Sequence, residues 1–193
     1  MVPTVKQITK AGAESMDLFT YGFLEHRDVY LTGEVNDDTA MSVAAQLTYL
    51  DISGTGDIHL YINSPGGSVT AGMAIVDAIR RCRCDVSTIC TGMAASMGAW
   101  ILSCGTRGKR RATPLAEIMI HQPLGSAQGQ ASDIEVAAQH IGKVRRRLNT
   151  ILSENTGRPM DVITRDCDRD YYMNAQEAVE YGLIDGIMTE NIR

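Results

Sequence analysis

Ile58-His59-Leu60-Tyr61-Ile62-Asn63-Ser64-Pro65-Gly66-Gly67-Ser68-Val69 is the stretch whose reading decides the fold. A short, mostly apolar run ends in a proline and two glycines, and from Val69 to Ile79 apolar residues then recur at helical spacing. The pattern is a buried strand, a tight turn and a helix. It repeats on both sides. Upstream, Val29-Tyr30-Leu31 reads as a strand and Thr39 to Leu50 as a helix. Downstream, Val86-Ser87-Thr88-Ile89-Cys90 reads as a strand and runs through Gly92 into an apolar helix, and Ile118-Met119-Ile120 is a shorter strand. Gly54-Thr55-Gly56-Asp57 is a loop between two such units. Strands alternating with helices predict an α/β fold with a largely parallel sheet.

A longer helix follows. From Ser132, apolar residues fall at Ile134, Ala137, Ile141, Val144, Leu148 and Ile151, one stripe over about five turns. Ser132 and Glu135 are spaced as a capping box, and Gly157 and Pro159 close the segment. The stripe suits either a core or the surface of a neighbouring subunit. The small-residue segment Gly125-Ser126-Ala127-Gln128-Gly129-Gln130 before it suits a strand or loop that moves or meets a partner.

With 193 residues the chain is expected to form one compact domain with a sizeable core. A net charge of -5 gives no reason to expect nucleic acid or anionic lipid as a ligand, and the cluster Lys143-Arg145-Arg146-Arg147 reads as a solvated helix face. No run approaches a membrane span, and Met1 to Lys6 lacks a charged-then-apolar secretory pattern. The five cysteines are odd in number and form no CxxC pair, which predicts reduced thiols in a cytoplasmic compartment and no metal site. Gly105-Thr106-Arg107-Gly108-Lys109-Arg110 fails the spacing of a phosphate-binding loop, so any ATP is expected on another protein.

Four elements carry chemistry. Gly92-Met93-Ala94-Ala95-Ser96-Met97-Gly98-Ala99-Trp100 places Ser96 where a strand turns into a helix, beside free N–H groups that favour an oxyanion. Ser96 there is either a nucleophile or a helix cap. Gly66-Gly67 bares backbone amides after a strand, as an oxyanion hole or a tight turn requires. His121, at a strand end, has the place of a general base, whereas His59 lies mid-strand, His140 on the long helix and His26 among charged residues. Asp166-Cys167-Asp168-Arg169-Asp170 offers three carboxylates to orient His121, and spacing alone does not choose among them.

These elements, in this order, resemble the proteolytic subunits of Clp proteases, the ClpP family. The resemblance rests on Tyr61 to Gly67, Gly92 to Gly98, Met119-Ile120-His121-Gln122-Pro123-Leu124-Gly125, Asp168 to Asp170 and the tail Glu177 to Asp185, and it runs from about Val2 to Met188. It implies Ser96 as nucleophile, His121 as base and Asp170 as orienting acid, with the amides of Gly67 and Met97 as oxyanion hole. It also implies a crotonase-like fold of stacked ββα units with a protruding handle of one strand and one long helix. The single domain would span 1–193, with an axial segment over 1–17 and the handle over 122–155. In this family two heptameric rings stack through the handles and enclose the active sites. Arg169 matches a position that pairs across the ring interface. The chain itself would need no cofactor, ATP being used by a separate AAA+ unfoldase that feeds it unfolded proteins. Tyr61 and Met188 match apolar positions of the unfoldase docking pocket, and Arg81 stands where that family commonly has an apolar residue. Gly12-Ala13-Glu14-Ser15 and the proline-free Arg80-Arg81-Cys82-Arg83-Cys84 also depart from the pattern. These departures bear on unfoldase docking and suggest a divergent paralogue that works best in a mixed assembly or with a particular unfoldase. A ring subunit that supports an active paralogue is the alternative. Two other readings compete: a crotonase-type acyl-CoA enzyme, which would not need all three triad residues, and a Ser-Lys peptidase with Lys109 as base.

Overall fold

The structure, a computed structural model, describes residues 2–9 and 12–188. Met1, Lys10 and Ala11 of the expected axial segment, and the end of the expected 1–193 domain, lie outside the described residues. Strands β1 (Thr4–Thr9) and β2 (Gly12–Asp17) pair antiparallel as a separate ribbon. After them come the single turn α1 (Leu18–Tyr21) and a wider π-helical turn, Gly22–His26. The body then runs β3 (Asp28–Val35), α2 (Asp37–Ser53), β4 (Ile58–Gly67), α3 (Val69–Arg81), β5 (Val86–Ala95), α4 (Met97–Ser103), β6 (Arg110–Ala112) and β7 (Glu117–Ile120). It closes with α5 (Ala131–Thr156), α6 (Met160–Asp166), β8 (Tyr171–Asn174), α7 (Ala175–Tyr181) and β9 (Gly186–Ile187).

Strands β3, β4, β5, β6 and β9 lie side by side in that order, all parallel. This is the α/β architecture expected from the alternation of strands and helices. Beyond β6, the end of β5 pairs with β7 in parallel, and β7 pairs with β8 antiparallel. Along β4, Ile58, Leu60, Ile62 and Ser64 are all buried, the period of two that a strand imposes. On α3, Ala71, Gly72, Ile75, Val76 and Ile79 form one buried face at helical spacing. Asn36 caps α2: its Oδ1 accepts from the Thr39 amide at 3.0 Å, and its own amide donates to Thr39 Oγ1 at 3.0 Å. At the centre sits Trp100, whose indole N–H donates to the Leu148 carbonyl at 2.9 Å and so ties α4 to α5.

The long helix differs from its sequence reading at its start. It begins at Ala131, with Gln130 extended (φ -69, ψ 157) as the cap residue and no side-chain cap bond. Ser132 is therefore already helical, and the Ser132–Glu135 capping box does not form, because a capping side chain must sit outside the helix to reach the free amides. The end is as expected: Gly157 takes the left-handed conformation (φ 78) and donates to Ser153 at 2.9 Å. The stripe splits in two. Leu148 and Ile151 are buried, whereas Ile134 remains 43% exposed. Residues 121–128 form no strand, so the strand half of the expected handle is not made in the single chain; a strand needs a ladder partner, and none of the described residues supplies one.

Candidate active site

Topology gathers the site from three strand ends. Ser96 follows β5, His121 follows β7 and Asp170 precedes β8. Because β5 and β7 are parallel neighbours in register Ala95 to Met119, their carboxyl ends lie together; because β7 and β8 are antiparallel with Ile120 opposite Tyr171, the start of β8 lies there too. The Ser96 amide donates to the Met119 carbonyl at 2.9 Å, which continues the ladder up to the serine itself.

Ser96 sits at φ 51, ψ -128, a region that residues with a side chain seldom occupy. Holding it there costs about 1–3 kcal/mol, and such strain concentrates where a side chain must be aimed. It occupies the cap position of α4, yet its side chain makes no cap hydrogen bond. Its Oγ lies instead 2.9 Å from His121 Nε2, and His121 Nδ1 lies 2.9 Å from Asp170 Oδ1. Since a carboxylate only accepts, the tautomer that satisfies both contacts has its proton on Nδ1, leaving Nε2 free to accept from the serine hydroxyl.

The three aspartates left open by spacing are separated by their partners. Asp166 accepts from the Tyr181 hydroxyl at 3.0 Å and pairs with Arg165. Asp168 faces Arg145 at 3.7 Å. Asp170 alone of the three reaches His121. Lys109, the alternative base, is held by Asp57 at 2.6 Å and Asp85 at 2.8 Å, so its ammonium is committed elsewhere. His26 and His59 line a concavity on another part of the chain.

The glycine-rich end of β4 passes directly over the serine. A Cβ on Gly66 (φ 91) would stand 2.7 Å from both the Ala95 oxygen and Ser96 Cβ, and 2.8 Å from the Met97 nitrogen. Gly67 (φ 147) is equally tight, its missing Cβ pointing into the Val35 carbonyl. Met97 is the first residue of α4, so its N–H has no acceptor within the helix, while its side chain is buried against Gly72 of α3. The sequence reading named Gly67 and Met97 for the oxyanion hole; the structure adds Gly66 as the residue whose lack of a side chain keeps the space in front of Ser96 and the Met97 amide open.

The remaining expected positions lie apart. Tyr61 and Met188 line one concavity of about 540 Å³ together with His26, Asp28, His59 and Arg111. Arg81 is not brought there; within the chain it lines a separate, small concavity with Thr48 and Asp51. Arg169 is exposed and makes no ion pair among the described residues. No helix among the described residues is long and apolar enough to cross a membrane. A family model described as Clp protease matches residues 10–191, nearly the whole chain and every residue of the site.

Proposed function

Because the chain belongs to the Clp protease family, we propose that it is a serine endopeptidase in which Ser96, His121 and Asp170 act as a triad. Ser96 Oγ attacks the peptide carbonyl while His121 Nε2 takes its proton, and Asp170 holds the Nδ1–H and stabilises the imidazolium. The amides of Gly67 and Met97 receive the negative charge that develops on the carbonyl oxygen. His121 then protonates the leaving amine, and water, activated by the same histidine, hydrolyses the acyl-enzyme. The observation that carries this reading is the relay of two 2.9 Å contacts running through one imidazole to a strained serine that caps nothing. Every group the mechanism uses belongs to this chain, and no cofactor is called for. A fluorophosphonate probe tests it: modification is expected on Ser96 and lost in Ser96→Ala. Labelling that persists in Ser96→Ala refutes the assignment.

In the same reading the chain works as a subunit of two stacked seven-membered rings in the cytoplasm, where a Clp-type ATPase threads unfolded proteins into the chamber. The exposed first half of α5, apolar at Ile134 and Val136, supports packing against another subunit. The concavity at Tyr61 and Met188 is the docking place for the ATPase, and Arg81 bears on it only from a neighbouring subunit. Arg169, exposed beside Asp170, serves the ring interface. Sizing of Arg169→Ala is expected to show smaller assemblies together with lost peptidase activity; an intact assembly with full activity removes the residue from this role. Asp170 is 55% exposed in the lone chain, which favours a second reading: a subunit weak by itself that supports an active paralogue. Slow Ser96 labelling alone, restored by mixing with that paralogue, marks this case.

A further inference from the structure

Two hydrogen bonds from one residue join the segment that carries His121 to the segment that carries Asp170. The backbone N–H of Gln122 donates to the Cys167 carbonyl at 2.6 Å, and its side-chain Nε2 donates to the Asp168 carbonyl at 2.8 Å. Gln122 is the next residue after His121, and Cys167-Asp168 lead directly into Asp170. The clamp sits just past the last paired residues of β7 and β8, Ile120 and Tyr171, where the ladder has already ended. From the other side Arg145 of α5 faces the Asp168 carboxylate at 3.7 Å, over a gap longer than a hydrogen bond.

This matters because Asp170 has little else to hold it. Its side chain is 55% exposed, and among the described residues His121 is the one hydrogen-bond partner it shows. An exposed carboxylate on a short connection keeps a 2.9 Å contact only when its backbone is fixed relative to the imidazole. We propose that Gln122 is a positioning residue for the triad: its side-chain amide sets the 167–170 backbone so that Asp170 meets His121 Nδ1. The inference rests on the Ser-His-Asp reading above and deepens it.

The proposal separates from a merely structural role because it acts only through Asp170. Gln122→Ala and Gln122→Glu both remove the donor to Asp168, and the glutamate keeps the length of the side chain. The backbone bond to Cys167 survives in each, so the melting temperature is expected to stay near that of the parent. Labelling of Ser96 by a fluorophosphonate is expected to slow roughly tenfold to a hundredfold, the scale on which a small misplacement of a reacting group acts. In an Asp170→Ala background the same replacements are expected to add nothing further, a non-additivity that marks two residues working as one unit. Parental labelling rates in both Gln122 variants overturn the proposal while leaving the triad reading intact. A loss that adds in full to that of Asp170→Ala also overturns it, since Gln122 then acts elsewhere. Absence of Ser96 labelling in the unmodified chain and its assemblies removes the triad reading, and the proposal with it.

Discussion

Gly66→Ala is expected to cut peptide hydrolysis by about 100- to 1000-fold, the loss that follows removal of an oxyanion donor. The added methyl has no free volume. It would stand 2.7 Å from Ser96 Cβ and from the Ala95 oxygen, and 2.8 Å from the Met97 nitrogen, closer than real Cβ atoms come to heavy atoms. All three neighbours are backbone or the root of a side chain, so none can swing aside. The end of β4 must then lift away from α4, which parts the Gly67 amide from the Met97 amide. The φ of 91 at Gly66 adds strain, because a side chain there disfavours that conformation. The site lies at the strand's end rather than in the core, so the fold is expected to survive. Steady-state peptide hydrolysis, read beside circular dichroism and melting temperature, checks the result. Near-parental activity in a folded Gly66→Ala protein places the oxyanion elsewhere.

The second large effect concerns stability. Asp185→Ala is expected to destabilise the protein by about 3–5 kcal/mol, the usual cost of leaving one half of a buried ion pair. Arg110 is buried, and its guanidinium reaches Asp185 through Nε at 2.9 Å and Nη2 at 2.6 Å, while Nη1 donates to the Asn155 carbonyl at 2.9 Å. Asp185 Oδ2 also accepts from the amides of Gly108 and Arg110 at 2.8 and 2.9 Å. The pair thus ties β6, the end of α5 and the segment leading to β9. Without the carboxylate, two amides and the Nε and Nη2 of a buried guanidinium lose their acceptor, and only Nη1 keeps its carbonyl partners. In a chain of this length the loss corresponds to a drop of roughly 10 °C in melting temperature.

The same pair carries a pH signature. Burial opposes ionisation of Asp185, but the hydrogen bonds from the Arg110 side chain and amide and from Gly108 outweigh it and hold its pKa below the ordinary aspartate value. A group depressed in the folded state contributes stability above its unfolded pKa, about 3.9, and loses that contribution as pH falls through the folded value. Acid melts are therefore expected to show parental protein losing stability below about pH 4 more steeply than Asp185→Asn. Parallel curves would mean that Asp185 gains nothing from its partners.

Much of this was legible in the residues. Strand β4 shows its buried period of two directly, and α3 its stripe, because both bury one face against the same core. Ser96, His121 and Gly67 stood out as polar or bare residues placed at strand ends. The short elements α6, α7 and β8 were not legible: seven residues or fewer hold little periodicity, and they form because neighbours are already in place. The capping box at Ser132 fitted the sequence rule yet failed, since the rule depends on where the chain leaves the extended path, which Gln130 decides.

Sequence alone determined the alternation of strand and helix, the parallel sheet and the types of residue available for chemistry, for these follow from local spacing and from the apolar pattern. Tertiary structure decided which of Asp166, Asp168 and Asp170 faces His121, that Lys109 is spent on two surface carboxylates, that Ser96 caps no helix, and that Gly66 clears the space over it. These depend on contacts between residues up to 52 positions apart in the chain. No local pattern encodes such distances, because they are set only when β5, β7 and β8 come into register around one core.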